Sequence, residues 1–304
     1  MNTARVALVT ARAARGLDED MAPLQCALSA AGARSQIVDW DDPGVHWQTF
    51  DLVLLRSAWD YSLRPREFRA WAESVARQTK LLNPLAVVLW NTDKHYLREL
   101  AAAGVPIVPT AFIEPGELAG KKIEDFTARH DAEEFVVKPA IGSGSRDAQR
   151  HVRANLDQLH KHVERLIDSG RSALLQPYLE RVNVHGETAL MYFAGRFSHA
   201  VRKGPLLRSG EGPTKALFAA EEITSRLASD DERQVASRAL AVSPCAPLLY
   251  ARVDLIRDAA NQPRLLELEL TEPSLFFDYS PGSAEHFARE ILRCCAPRVA
   301  AVEP

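Results

Sequence analysis

Glu134–Asp147 reads EFVVKPAIGSGSRD. The pattern predicts a short apolar strand over Phe135–Lys138 that ends in a Lys-Pro pair and opens into a Gly/Ser loop. Glycines let a backbone take positive φ and approach a ligand closely, so successive N–H groups can face an anion. Lys138 adds a point charge for the same anion, and Ser143, Ser145 and Arg146 add donors. The stretch is not a Walker A loop, because the lysine precedes the glycines and no GKS or GKT ending follows. It is not a dinucleotide fingerprint either, since GxGxxG is incomplete. Taken alone it fits a polyphosphate cradle or a plain hairpin turn. The surrounding chain supplies the context.

Upstream, residues 1–80 alternate strand and helix patterns. Val6–Thr10, Ser35–Trp40 and Asp51–Leu55 read as strands, and Met21–Ala31 and Phe68–Thr79 as helices, the first stopping at Gly32. Such alternation implies a parallel sheet, in which ligands sit beyond the carboxyl ends of strands. Arg56, Ser57, Trp59, Asp60 and Tyr61 come directly after the third strand and fall in that territory. A helix is expected from Thr92 to Ala103, capped by Asn91 or Thr92, stopped by Gly104 and carrying Lys94 near its start. Pro106 and Pro109 bracket a short strand. Past the glycine loop come a helix near Leu156–Ser169 and a strand at Leu174–Gln176. Longer strands are expected at Glu187–Phe193, Phe197–Lys203, Leu249–Ile256 and Arg264–Leu270, then a helix over Ala284–Cys295.

Carboxylates gather near the end. In LLELELTEP, Glu267 and Glu269 are two apart on a strand and share one face. Asp254, in ARVDLI, falls on the partner strand across the turn-rich Asp258–Pro263. Carboxylates on one face would repel unless a cation neutralised them, and oxygen-only ligands suit Mg²⁺ or Mn²⁺. A solvated outer face of alternating Glu and Leu is the competing reading. The histidines form no recognisable catalytic or metal motif.

Composition narrows the function classes. The chain has 304 residues, with 37 basic and 40 acidic side chains and a net charge of −3. No global basic field points to nucleic acid or an anionic membrane. No apolar run approaches the ~20 residues that span a bilayer. Cys26, Cys245, Cys294 and Cys295 lack metal-site spacing, which fits a reducing cytoplasm.

In order, these segments resemble the ATP-grasp ligases, within which the chain is similar to the glutathione-synthetase-like and ribosomal-protein-glutamylating members. The resemblance spans roughly residues 83–280. It implies an α/β fold, α+β in parts: an N-terminal parallel α/β domain (1–82), a linker with a helix (83–110), a small lid (111–180) and a C-terminal subdomain with a metal site (181–304). It further implies that Lys94 and Lys138 hold ATP phosphates while Gly142, Ser143, Gly144, Ser145 and Arg146 close over them. Gln176-Pro-Tyr-Leu-Glu180 would be the hinge, with Tyr178 and Leu179 backbone for adenine and Glu180 for the ribose. Glu187 matches an acidic position near the nucleotide. Asp254, Glu267 and Glu269 match the metal ligands, Glu269 replacing the commoner Asn, and Arg252 matches an arginine that steadies the transferred phosphate. LLRSAWDYS and TEPSLFFDYSPGS resemble a branch that includes the cyclo-ligase making D-cycloserine from O-ureido-D-serine. In that branch Arg56 would meet the substrate, and Asp60, Tyr61, Lys203 and Ser274 would shape a small polar pocket. The implied partner is a small amino-acid-like molecule, and homodimers are common in the family. A non-catalytic nucleotide sensor and a protein-modifying ligase are the alternatives.

Overall fold

The structure, a computed structural model, describes residues 3–213 and 222–295. Its first sheet is parallel, in the order β2-β1-β3-β4, from β1 (Arg5–Thr10), β2 (Arg34–Asp39), β3 (Leu52–Ser57) and β4 (Leu81–Leu82). The runs VALVT and LVLL are buried throughout because both faces are covered. Helix α1 (Met21–Ala30) covers Val6, Leu8, Leu52 and Leu54 with Met21, Leu24 and Leu28. Helix α2 (Pro65–Gln78) covers the alternate residues with Phe68, Ala72 and Val75. Those spacings of three and four are one helical face.

The linker differs from the expectation. A helix α3 (Leu85–Asn91) precedes Thr92, and α4 (Tyr96–Ala102) comes after a break at 92–95. Asn91 therefore ends one helix instead of capping the next. Its side chain serves a different purpose: Nδ2 donates to Leu268 O (2.6 Å) and Oδ1 accepts from Leu270 N (2.7 Å). The break also lets Lys94 N donate to Ala140 O (3.0 Å), drawing Lys94 to the glycine loop. The strand expected between Pro106 and Pro109 reduces to one bridge, Ile107 to Leu265.

A second sheet runs β5-β8-β6-β7, all antiparallel: β5 (Ala111–Ile113), β6 (Glu134–Pro139), β7 (Gln149–Val152) and β8 (Ala173–Pro177). Helices α5 (Ala119–Arg129) and α6 (Leu156–Asp168) cover one face over a core with Phe126, Phe135, Val137 and Leu159. Alternation along β6 turns Val136 and Lys138 to the opposite face.

A short helix α7 (Val182–His185) leads into the third sheet, order β11-β10-β9-β12-β13: β9 (Glu187–Phe193), β10 (Arg196–Lys203), β11 (Ile223–Arg226), β12 (Tyr250–Arg257) and β13 (Pro263–Glu269). It is antiparallel throughout. Helix α8 (Asp230–Ala241) starts on a capping box of Ser229 and Glu232. Helix α9 (Ser283–Cys295) lies beside α1 and places Phe287 and Ile291 in one core with Leu8, Leu54, Met191 and Phe193. The first and third sheets thus share a core.

Candidate active site

The segments that follow β1 and β3 of the first sheet join strands of the other two sheets around a cavity of about 420 Å³, within the ~300–1,000 Å³ usual for ligand sites. One end is apolar. Val108, Val136, Tyr178, Leu179, Val182, Ile256 and Leu266 form a cluster where β8 runs into the third sheet, a slot suited to a flat heterocycle. Arg150 sits over the Tyr178 ring at 3.5 Å and pairs with Glu134, stiffening the rim.

Next along the cavity lie both predicted lysines and the whole Gly142–Arg146 loop. Lys94 Nζ donates to Gly142 O (2.7 Å), and Gly144, Ser145 and Asp147 have φ near +60°. Asp147 is tied to Arg171 (2.7 Å) and Arg165 (3.1 Å), anchoring the far end of the loop. The near end is strapped to the first domain: Ser143 Oγ donates to Trp59 O (2.5 Å) and lies 3.3 Å from Ser62 Oγ.

The carboxylates stand where the hairpin reading put them. Asp254 is the cross-strand partner of Glu267, and Arg252 that of Glu269, so all four share one face. Opposite charges interleave there. Glu267 meets Lys94 (3.0 Å) and Lys138 (3.6 Å). Asp254 accepts two bonds from Arg252 (2.9 Å each) and one from Lys203 (3.1 Å). Lys203 also pairs with Glu187 (3.2 Å), and Arg252 reaches Glu269.

Burial works against the ionised form of every one of these acids, and the neighbours decide the outcome. For Asp254 burial is outweighed by Arg252 and Lys203; for Glu267 it is outweighed by Lys94 and Lys138. Both sit below the usual carboxylate range. Glu269 is pushed up to about 7 by burial, against the pull of Arg252, with Asp254 and Glu267 adding repulsion. Burial likewise lowers Lys138, and Glu267 opposes it.

Among the described residues no three acids converge as a ready metal cluster, because each is engaged by a cation of the chain. The donor set nonetheless fits a hard divalent ion. It is all oxygen, lies on one face, and at Glu269 carries a carboxylate that burial and the neighbouring acids leave short of compensating charge despite Arg252.

Of the residues singled out from sequence, Lys94, Lys138, Gly142 to Arg146, Tyr178, Leu179, Glu187, Lys203, Arg252, Asp254, Glu267, Glu269, Tyr61 and Ser274 line this cavity. Five others are not in its lining. Ser57 is fully buried, its hydroxyl 2.8 Å from Thr10 Oγ1. Gln176 is buried within β8 and donates to Thr110 (3.0 Å). Glu180 is exposed outside the rim. Asp60 is occupied by Trp40 Nε1 and Arg64 (2.7–2.8 Å). Arg56 is fully buried beside Asp20 (3.5 Å) and Asp18 (3.8 Å), which hold it beneath the cavity wall that Asp20 helps to form. Trp59, Asn91, Phe276 and Glu272 line the cavity without having been assigned from sequence, apart from Trp59's placement beyond β3. Glu272, three residues past Glu269 in ELTEP, is the acid that this motif could have revealed.

A cleft between two antiparallel sheets, one bearing lysine and glycine loop and the other the carboxylates, is the ATP-grasp arrangement. The chain is an ATP-grasp ligase, a class that works with ATP and a divalent cation. Residues 6–83 match the family described as D-cycloserine synthetase DcsG, N-terminal domain. The cycloserine biosynthesis protein DcsG of Streptomyces lavendulae is 41% identical over 298 residues, which cover 96% of this chain and 99% of that protein. The crystal structure of D-cycloserine synthetase DcsG superposes with a TM-score of 0.90 at 40% identity, covering 96% of this chain and all of the other. D-alanyl-alanine synthetase A of Vibrio cholerae shares the fold, with a TM-score of 0.70 at 12% identity and coverage of 97% and 98%. The chain belongs to the DcsG family. Among the described residues no helix is long and apolar enough to cross a membrane.

Proposed function

We propose that this ligase uses ATP and Mg²⁺ to activate the carboxyl group of O-ureido-D-serine and closes the isoxazolidinone ring of D-cycloserine. The observation that carries the reading is the continuity of one small cavity, which runs from the glycine loop to Trp59, Tyr61 and Ser274 of the substrate end. The relative's role in cycloserine biosynthesis supports the choice of acid.

The γ-phosphoryl group passes to a carboxylate oxygen of the substrate and ADP departs. The oxygen-bound nitrogen of the ureido group then attacks the acyl carbon. A C–N bond forms, the C–O bond to phosphate breaks, and phosphate leaves with the electron pair while the nitrogen loses its proton. Water cleaves the remaining carbamoyl group, released as carbon dioxide and ammonia. Lys94 and Lys138 hold the α- and β-phosphates, Gly142–Arg146 excludes water, and Arg252 steadies the developing oxyanion. Asp254, Glu267 and Glu269 would hold Mg²⁺, or Mn²⁺ in its place, which would supply neutralising charge to the phosphates. Tyr178 and Leu179 backbone groups meet adenine, Glu187 flanks the nucleotide, and Tyr61, Lys203 and Ser274 shape the acid pocket. ATP use fits a cytoplasmic enzyme.

Phosphate release coupled to mass spectrometry tests this. One ADP per D-cycloserine is expected with O-ureido-D-serine. ADP release driven by a different small acid, with no ring product, would overturn it.

A further inference from the structure

The cavity lining holds several buried carboxylates, and their partners differ in kind. Glu187 and Asp254 have Lys203, Asp254 and Glu269 have Arg252, and Glu267 has Lys94 and Lys138. Asp20 has Arg56 and caps the backbone N–H groups of Leu275, Phe276 and Phe277. Glu19 and Asp278 are exposed to water. Glu272 is different. It is 8% exposed and lines the cavity, yet among the described residues no basic side chain lies within 4.0 Å of it. Lys94 is the main positive influence on it, and that ammonium is already held by Glu267.

Neutral neighbours fix Glu272 in place. Trp59 Nε1 donates to its backbone carbonyl (3.1 Å), and the Tyr61 hydroxyl, which donates to Gly142 O (3.4 Å), stands near enough to its carboxylate to favour the charged form. Both come from the turn after β3, so two aromatic rings and one carboxylate meet at the substrate end. Burying a carboxylate without a cation is costly, and that cost is recovered when a cation arrives. A lone buried carboxylate bordered by a hydroxyl and an indole N–H suits the small ammonium group of an organic molecule better than a hydrated metal ion, which needs several oxygen ligands. Among other charged groups Glu269 acts on Glu272 most strongly, which puts this acid beside the carboxylate face.

We infer that Glu272 is the receptor for the substrate's α-ammonium group, with Tyr61 and Trp59 orienting it, and that it sets the preference for amino acids over plain carboxylic acids. The inference rests on the proposed amino-acid substrate. An ammonium held there leaves the same molecule's carboxyl group free to face Arg252 and the phosphates.

The test compares wild type, Glu272→Gln and Glu272→Asp with O-ureido-D-serine and with its deamino analogue, 3-(ureidooxy)propanoate. Losing one partner of a desolvated charge pair predicts a KM about 100-fold higher for the amino acid in Glu272→Gln. Glu272→Asp should recover part of that loss, and the KM for ATP and the affinity for ADP should stay within twofold in all three proteins. The preference for the amino acid over the deamino analogue should fall towards unity in Glu272→Gln. Preserved preference, or an unchanged KM, overturns the assignment. Wild-type turnover tests the ring-closing reading separately: if another ammonium-bearing acid drives ADP release instead, the same comparison runs with that acid and its own deamino analogue. Silence of the wild type towards every such acid would overturn both.

Discussion

Glu267→Gln separates the two tasks of that carboxylate. In the ligand-free protein Glu267 neutralises Lys94 at 3.0 Å and Lys138 at 3.6 Å, both nearly sealed from water. Glutamine keeps the shape and removes the charge, leaving two ammonium groups facing each other. Breaking a fully buried pair costs about 3–5 kcal/mol. Glu267 is a quarter exposed, and an amide still accepts a bond, so about 2 kcal/mol is expected. For a chain of this length that lowers Tm by about 4 °C. Nucleotide binding should respond in the opposite direction. On the proposed phosphate-binding role, wild-type lysines must leave Glu267 before they meet phosphate, whereas the variant's lysines are already released. Metal-free ATP should therefore bind about tenfold tighter, a difference of ~1.4 kcal/mol. Turnover should fall about 10²–10³-fold, the usual effect of removing one electrostatic stabiliser. Differential scanning fluorimetry, calorimetry with ATP in EDTA, and phosphate release read the three effects. Metal-free ATP binding no tighter than wild type, or turnover within threefold of it, would refute this account of the carboxylate.

Ser143→Ala removes the strap between the glycine loop and Trp59; at about 1 kcal/mol for the lost bond, kcat should drop roughly fivefold with the KM for ATP little changed, and limited proteolysis should cut the loop faster. An unchanged kcat and cleavage rate would show that the strap is incidental. The pH dependence of stability is set by two acids with raised folded-state values, Glu269 at about 7 and Glu272 at about 8. A raised acid contributes stability that is present below its unfolded value and lost as pH rises through the folded one. His151 and His162, lowered to about 4 by burial, act in the opposite sense, and only below their unfolded value near 6.5. Between pH 7 and 8 the histidines are mostly neutral in both states and the acids dominate, so the protein should lose about 1 kcal/mol across that window. Glu272→Gln should flatten the decline, and a Tm that rises over the window would contradict it.

Strands with continuous apolar runs were legible because burial on both faces leaves no other pattern, as in VALVT and LVLL. The hairpin that pairs Asp254 with Glu267 was legible for a related reason: alternation and a turn fix which side chains share a face. Short polar strands such as QRHV (β7) and ITSR (β11) carry no such signal and form through their neighbours. Helix α8 does carry one in its capping box, Ser229 to Glu232, although its apolar periodicity is weak. The linker departs from expectation for another reason. Local propensity favours a helix through Thr92–His95, but Asn91 satisfies β13's backbone and Lys94 joins the glycine loop, so tertiary demands break it. Arg56 and Asp60 mark a limit of strand-end reasoning. Both do lie at the carboxyl end of β3, but the direction in which each side chain points depends on distant partners such as Asp20 and Trp40 and on Arg64 in the adjoining turn.

The core shared by α1, α9 and the first and third sheets carries a mechanical corollary. Two units that bury Leu8, Leu54, Phe193 and Phe287 against one another cannot swing apart without exposing that surface. The unit of β5 to β8 keeps its own interior on the α5/α6 side and meets the rest through Phe112, Ala140 and Leu174 and, at the hinge end, through Val136, Tyr178 and Leu179. On the proposed nucleotide site, the expected movement is therefore that of one jaw rocking against a fixed anvil. Because Ser143 fastens that jaw's loop to the anvil at Trp59, the bite that grips phosphate also closes over the acid, and the two substrates are sealed in by a single movement.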